Sequence, residues 1–109
     1  MDIKPFRDEF GRIPTQFAAQ AYDVIMGMDA AVKSVNGKVA DREALLAALR
    51  SAKFDSVRGP FKYNVNNYPI QNFYVRTVVK DPQNGLTNKL QSTILENHAD
   101  AFVSQCSMK

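Results

Sequence analysis

The sequence predicts an α+β fold in which helices come first and a β-hairpin region and a C-terminal helix follow. Apolar residues recur at steps of three and four through the first half of the chain, as in amphipathic helices. From Phe73 to Val79 the residues fit a strand, with Phe73, Val75, Thr77 and Val79 on one face and Tyr74, Arg76 and Val78 on the other, and Gly59-Pro60 interrupts the backbone between the two patterns. The predicted organisation is a single unit, 1–109, with three parts: a helical segment 1–58, a crossover and strand 59–80, and a hairpin return with the C-terminal helix 81–109.

The first half is predicted to contain three helices. The first occupies residues 2–10 and ends at Gly11, because glycine readily adopts the left-handed conformation that terminates helices. The second opens at Pro14-Thr15 and runs for about five turns. Asp41 is a suitable N-cap for the third helix. The apolar stripe of the second helix consists of Phe17, Ala21, Ile25, Met28 and Val32.

A short extended run follows the break at Gly59-Pro60. Residues 61–65 alternate between apolar and polar side chains, which indicates a short strand. Asn66-Asn67 tolerates a turn, and Pro69 is expected to break the chain a second time. These punctuating residues set off the central strand from the helical half.

A hairpin and a closing helix complete the predicted fold. Residues 80–85 combine proline with Asn-Gly, which is strong turn chemistry. A return strand around residues 89–94 is therefore expected to pair with the central strand 73–79. Asn97 is expected to cap the last helix, with Asp100 three residues later in the manner of a capping box.

Composition excludes several classes of protein. The chain has 109 residues, of which 45% are hydrophobic and 23% charged, so a small folded domain is expected rather than disorder. No apolar run approaches the roughly 20 residues that span a bilayer, and the opening residues lack the apolar region of a signal peptide. The net charge of +3 comes from scattered residues without a basic run, which does not favour nucleic-acid binding.

No catalytic constellation can be assembled from the sequence. His98 is the single histidine, and a surface position explains it better than a general base, which needs a partner and a pocket. Cys106, the single cysteine, has no activating neighbour and allows no internal disulfide. Motifs for nucleotide binding, zinc proteolysis and dithiol redox chemistry are absent. The sequence therefore predicts no enzyme, no cofactor and no metal site.

Five phrases of the sequence, in this order and spacing, resemble the C-terminal part of type I periplasmic solute-binding proteins. These proteins are the receptors of ABC importers of the branched-chain amino acid class. The resemblance covers essentially the whole chain, and the five phrases together are more specific than any one alone. They are Phe10–Pro14 with Phe17–Asp23, Asp41–Leu49, Phe54–Asn64, Pro69–Arg76, and Ala99–Phe102 with Cys106.

The resemblance implies that the chain is about the last third of a larger parent with two α/β lobes and a solute bound between them. The chain would supply closing helices of one lobe, the third crossover near Gly59–Tyr74 and a tail in the other lobe. The parent would be periplasmic, with its signal peptide outside this chain. Its expected partners are a small-molecule solute, an ABC permease and the remaining parts of the two lobes. No chemistry is expected, because the solute is delivered unchanged.

Two solute-binding residues follow from the same resemblance. Phe17 matches a family position where an aromatic side chain packs on the ligand, and Gln20, one turn on, is expected to reach the same cleft. Ordinary core packing is the alternative interpretation of Phe17. The solute is either a branched-chain amino acid or an aromatic acid, and the sequence leaves this choice open.

Taken alone, the chain is expected to self-associate, as a dimer with exchanged strands or helices, and to bind no solute tightly. Open strand edges and uncovered apolar surface are the physical reasons. Two other functions stay open. One is a free-standing interaction module that assembles through its strand edge. The other is a small nucleic-acid binder that uses Lys62 and Arg76 with the neighbouring aromatic residues Tyr63, Tyr68, Phe73 and Tyr74.

Overall fold

The computed structural model describes residues 3–51 and 53–108, in which helices precede a single antiparallel sheet. The strands follow the order β1-β2-β3. This confirms the predicted fold class. The elements are α1 (Lys4–Phe10), α2 (Gln16–Ser34), α3 (Arg42–Ser51), β1 (Phe61–Tyr63), β2 (Pro69–Asp81), β3 (Gly85–His98) and a 3-10 turn (Val103–Gln105). The predicted extension of the first helix to Asp2 lies outside the described residues.

The helices begin and end where local signals place them. Gly11 has a φ of 63° and donates its N–H to the Arg7 carbonyl at 2.8 Å, which ends α1. Thr15 caps α2, because its Oγ1 accepts the Ala18 N–H at 3.3 Å. Asp41 does the same for α3, accepting from the Ala44 N–H at 3.1 Å. These three helix boundaries are confirmed.

The predicted hairpin is present and longer than expected. β2 and β3 pair with Phe73 opposite Leu95 and Val79 opposite Thr87. The turn between them ends at Gly85, which has a φ of 71°. Pro69 was expected to break the chain, and this is wrong. It is the first residue of β2, a position where the missing N–H of proline is tolerated.

The closing helix is reduced to the single 3-10 turn, and the predicted cap at Asn97 is wrong. β3 continues to His98, and Asn97 has a φ of 48° with its N–H donated to Asn72 Oδ1 at 2.9 Å. Asp100 instead accepts the Phe102 N–H at 2.9 Å through one carboxylate oxygen. Pairing with β2 therefore extends the strand through the segment where a cap was expected.

The fold is flat, and its apolar side chains are largely uncovered. The Cα radius of gyration is 16.9 Å, against about 13 Å for a compact chain of this length. The principal extents are 49 × 34 × 15 Å. Among the described residues Ala31 is the one buried hydrophobic residue. None of the helices in the described ranges has the length and apolar character needed to cross a membrane.

Candidate functional site on helix α2

A buried carboxylate organises the centre of the molecule. Asp23 lies in the middle of α2 and is 2% exposed. Its Oδ2 accepts from Ser56 Oγ at 2.6 Å and from Arg58 Nε at 2.7 Å, and its Oδ1 accepts from the Val57 N–H at 2.9 Å. These four residues are called the Asp23 cluster below. The cluster ties the loop that precedes β1 to α2.

The electrostatics of the cluster follow from these contacts. Burial by itself raises the pKa of Asp23, because the charged form loses hydration. Hydrogen bonds from Arg58, Ser56 and Val57 and the charge of Arg58 outweigh burial, so the pKa of Asp23 lies below its ordinary value. The carboxylate is therefore charged at neutral pH and fully occupied by its partners. This makes it a structural acceptor rather than a base.

Aromatic rings pack beside the cluster. Phe54 lies against Gly27 of α2, where an added Cβ would be 3.1 Å from the ring. Phe54 meets Phe61 edge-on with ring centroids 5.4 Å apart, and the Arg58 guanidinium lies 5.5 Å from the centre of the Phe61 ring. Tyr74 of β2 donates its hydroxyl to the Arg58 carbonyl at 3.3 Å. Helix α2, the loop before β1 and strand β2 are therefore in contact around Arg58.

A cleft of about 390 Å³ opens next to this point, between α2, α3 and the segment that leads into β1. Its walls are mainly aliphatic and aromatic, with two arginines, Arg50 and Arg58, among the lining residues. The lining residues are Asp23, Val24, Gly27, Met28, Leu46, Leu49, Arg50, Phe54, Arg58, Phe61, Tyr63 and Asn67.

Phe17 and Gln20 lie outside this cleft. Phe17 is 70% exposed and Gln20 is exposed, and neither is among the lining residues. Steps of three and four from Phe17 through Gln20 lead to Val24 and Gly27, so both residues continue the cleft face of α2 towards its N-terminus. The structure therefore places them together on one accessible helix face. Their role in solute binding stays a prediction.

The C-terminal turn forms a second, wider cleft with the ends of the strands. Asn66, 6% exposed, donates its amide to Asp100 Oδ2 at 2.9 Å within it. His98 packs edge-on against Phe73 with ring centroids 5.6 Å apart, and Cys106 is half-buried. Within residues 3–51 and 53–108, no three histidine, cysteine or acidic side chains cluster closely enough to hold a metal ion.

The sequence did not reveal the Asp23 cluster. An acid on a helix is usually solvated, and the partners of Asp23 lie 33 to 35 residues away along the chain. The one available signal was the position of Asp23 between Tyr22 and Val24, inside an apolar stretch of α2. An acidic residue between apolar neighbours on a helix is less often exposed to solvent than one on a polar face.

Comparison with known proteins identifies the family of this chain. The model of the periplasmic binding protein family matches residues 3–84, which is more than half of the chain. Among solved structures, the chain is similar to a solute-binding protein of an ABC transporter from R. palustris in complex with benzoate, with a TM-score of 0.80 and 35% sequence identity. This similarity covers 96% of the chain and 28% of that protein, so the chain spans little more than a quarter of its length. No curated protein matches. The chain belongs to the periplasmic binding protein family.

Proposed function

We propose that the chain is part of a periplasmic receptor that captures a small aromatic acid for an ABC importer. The observation that carries this proposal is the 35% identity, over 96% of the chain, with a solute-binding protein in complex with benzoate. This similarity favours an aromatic acid over a branched-chain amino acid. The receptor carries no catalytic step, and its expected partners are the solute, the permease and the remaining parts of its lobes.

Phe17 and Gln20 are the proposed solute contacts. Phe17 lies in the first turn of α2, which the Thr15 cap holds in place, and its exposed ring offers a flat apolar surface to an aromatic solute. Gln20 follows one turn later on the same face, so its amide N–H can donate to the solute carboxylate. A ring contact beside a placed polar group is typical of small-molecule sites.

A chimaera tests this proposal. This chain replaces the matching 28% of the R. palustris protein, and calorimetry measures binding of benzoate and of leucine. We expect benzoate to bind, with about tenfold weaker binding after Phe17→Ala because the ring contact is lost. Gln20→Ala should weaken binding by a similar factor, since a hydrogen bond to a charged group is removed.

Gln16→Ala is the matched control, because Gln16 is the neighbouring exposed residue and starts the same helix. A folded chimaera that binds leucine and not benzoate contradicts the proposed solute class. Equal benzoate affinity in the Phe17→Ala, Gln20→Ala and unmutated chimaeras contradicts the proposed contacts and leaves the solute class standing.

For the chain alone, we propose weak solute binding and self-association. Much apolar surface on α2 is uncovered, with Ile25 64% and Val24 59% exposed. Exposed apolar patches of this kind mark surfaces that bind other protein. Millimolar or weaker benzoate binding by the 12.2 kDa chain is the expected calorimetric result.

A further inference from the structure

We infer that the unpaired edge of β2, residues 72–81, receives a strand from the parts of the receptor that lie outside this chain, and that this strand is acidic. The inference rests on the proposed function, in which the chain is one part of a larger solute receptor, and it names the surface where another part pairs. The chain spans 28% of the similar R. palustris protein. Most of a receptor of that size is therefore available to supply the strand.

The edge of β2 that faces away from β3 is paired over a short distance. β1 pairs with residues 69–71 on this side, whereas β3 pairs with β2 from Gln71 to Asp81 on the other side. Within the described part of the chain, no backbone group outside the sheet forms a hydrogen bond with the backbone of residues 72–81. This segment is about 33 Å long. Every second residue in it directs its N–H and C=O groups away from β3.

The irregularities in the pairing of β2 with β3 lie in β3 and leave β2 straight. Phe73 pairs with Leu95. The next residue of β2, Tyr74, pairs with Thr93, so one step along β2 corresponds to two steps along β3. The other two register shifts also place the extra residue in β3. Bulges hinder the pairing of an edge with a further strand, so the straight edge of β2 is better suited to it than the outer edge of β3.

The side chains of this segment suit a strand that is paired on both sides. Residues 73–79 contain two aromatic residues and three valines, which favour strands. No proline lies between Pro69 and Pro82, so nothing in the backbone prevents a further strand from pairing. Proteins usually cover a long regular edge of this composition.

Two cations on one face of β2 favour an acidic partner. Arg76 and Lys80 are exposed and lie four residues apart on a straight strand, so they share a face of the sheet. Their partners on β3, Leu90 and Leu86, carry no charge. Neither cation forms a salt bridge with another described residue. A strand with carboxylates on this face would place opposite charges next to both cations.

Hydrogen–deuterium exchange by mass spectrometry, with fragmentation that resolves single amides, tests the pairing in the chain alone and in the chimaera with the R. palustris protein. In the chain alone, every second amide of residues 72–81 should exchange rapidly, because no acceptor faces it. In the folded chimaera these amides should exchange about 100-fold more slowly. The outer amides of β3 are the internal control and should exchange at the same rate in both. The corresponding strand of the intact R. palustris protein is measured in the same way, so the result does not depend on folding of the chimaera.

Arg76→Glu and Lys89→Glu form a matched pair of variants in the chimaera. Each replaces an exposed cation by an anion, and Lys89 lies opposite Thr77, on the other face of the sheet from Arg76. Arg76→Glu should speed exchange of the protected amides about tenfold, because like charges then lie side by side across the new pairing. Lys89→Glu should leave their exchange unchanged. Circular dichroism of both variants of the chain alone checks that the fold is intact.

Three results overturn the inferred pairing. The first is equal exchange of residues 72–81 in the chain alone and in the chimaera. The second is stronger protection of the outer edge of β3 than of β2 in the chimaera. The third is exchange in the chain alone that slows as its concentration is raised, which assigns the edge to a second copy.

The acidic character of the strand and the proposed solute are tested separately. Equal exchange in the Arg76→Glu and Lys89→Glu chimaeras contradicts an acidic partner strand. A chimaera that protects residues 72–81 and binds no benzoate contradicts the proposed solute alone. A chimaera that binds benzoate and leaves this edge unprotected contradicts the inference alone.

Discussion

The loop before β1 and the β2–β3 hairpin are held in place by different kinds of contact. The loop has no regular structure, yet Asp23 binds two of its side chains and one backbone N–H. The hairpin is regular and is held by strand pairing from Asp81 opposite Gly85 to Gln71 opposite His98. Thirteen of the fourteen residues of β3 are exposed. Burial is therefore found where α2 meets this loop, whereas the longest strand pairing is largely exposed.

This difference predicts where single substitutions matter. A buried charged group that loses a partner costs free energy, because its desolvation is no longer compensated. When an exposed strand residue loses a side-chain hydrogen bond, water can replace the missing partner, so the free energy of unfolding changes little. Stability should therefore depend strongly on the Asp23 cluster and weakly on the hairpin surface. All measurements below use one fixed protein concentration, because association shifts apparent stability.

The largest effect is expected for Asp23→Ala. This substitution leaves Ser56, Val57 and Arg58 without their acceptor, although Arg58 is one third exposed and regains some hydration. We expect the free energy of unfolding in urea to fall by about 3 kcal/mol. Asp29→Ala is the control, because its salt bridge to Lys33 is exposed and should contribute about 0.5 kcal/mol or less. Equal losses of unfolding free energy in Asp23→Ala and Asp29→Ala would contradict a structural role for the Asp23 cluster.

Gly59→Ala should follow in size. Gly59 has a φ of 99°, and a Cβ there would lie 2.8 Å from Tyr74 Oη. Strain and this close approach together should cost about 2 kcal/mol. Gly11→Ala is the control, since Gly11 also has a positive φ, of 63°, and open space around it. It should cost about 1 kcal/mol.

A double variant separates the two causes at Gly59. Tyr74→Phe removes the hydroxyl that the new Cβ would meet, and it also removes the hydrogen bond to the Arg58 carbonyl. Gly59→Ala should therefore cost less in the Tyr74→Phe background than in the unmutated chain. The same cost in both backgrounds would assign the whole effect to the backbone angle.

Local signals explain which parts of the fold were predictable. Gly11, Thr15 and Asp41 each act within four residues of the helix end that they define, so sequence spacing suffices to find them. The hairpin turn is equally local, because Asp81 accepts from the N–H of Asn84 three residues later. These features were predicted and are confirmed.

Contacts between distant residues explain the rest. Asn97 has a good capping side chain, but its N–H is accepted by the Asn72 side chain 25 residues away, and β3 continues to His98, which pairs with Gln71. Asp23 likewise bonds across more than 30 residues. Neither partner can be identified from spacing alone. Phe17 and Gln20 stay predictions for another reason, since their proposed partner is a solute and not a residue of the chain.

Acid should weaken the fold through Asp23. The folded pKa of Asp23 lies below the ordinary value of 3.8, because hydrogen bonds and the charge of Arg58 outweigh burial. The charged cluster therefore stabilises the fold fully above the unfolded pKa, and this stabilisation is lost as the pH falls through the folded pKa. Urea unfolding at stepped pH should show the gap between the unmutated chain and Asp23→Asn narrowing below about pH 4. A gap that is constant with pH would contradict this assignment.

The smallest expected effects on stability come from removing one hydroxyl group in the Asp23 cluster and one in the hairpin. Ser56 donates to the buried Asp23 carboxylate at 2.6 Å, and Thr77 of β2 donates to the exposed Gln91 side chain at 2.7 Å. The two hydrogen bonds are nearly equal in length, so length does not distinguish their contributions. Ser56→Ala should cost about 1.5 kcal/mol, because a buried charge loses a donor and the Arg58 N–H loses its acceptor, Ser56 Oγ, at 3.1 Å. Thr77→Val should change the free energy of unfolding by less than about 0.5 kcal/mol, since water replaces the lost bond and valine suits a strand. If urea unfolding shows the same loss of unfolding free energy for both variants, burial does not set the energetic contribution of these hydrogen bonds. The proposed difference in stability between the Asp23 cluster and the hairpin surface is then wrong.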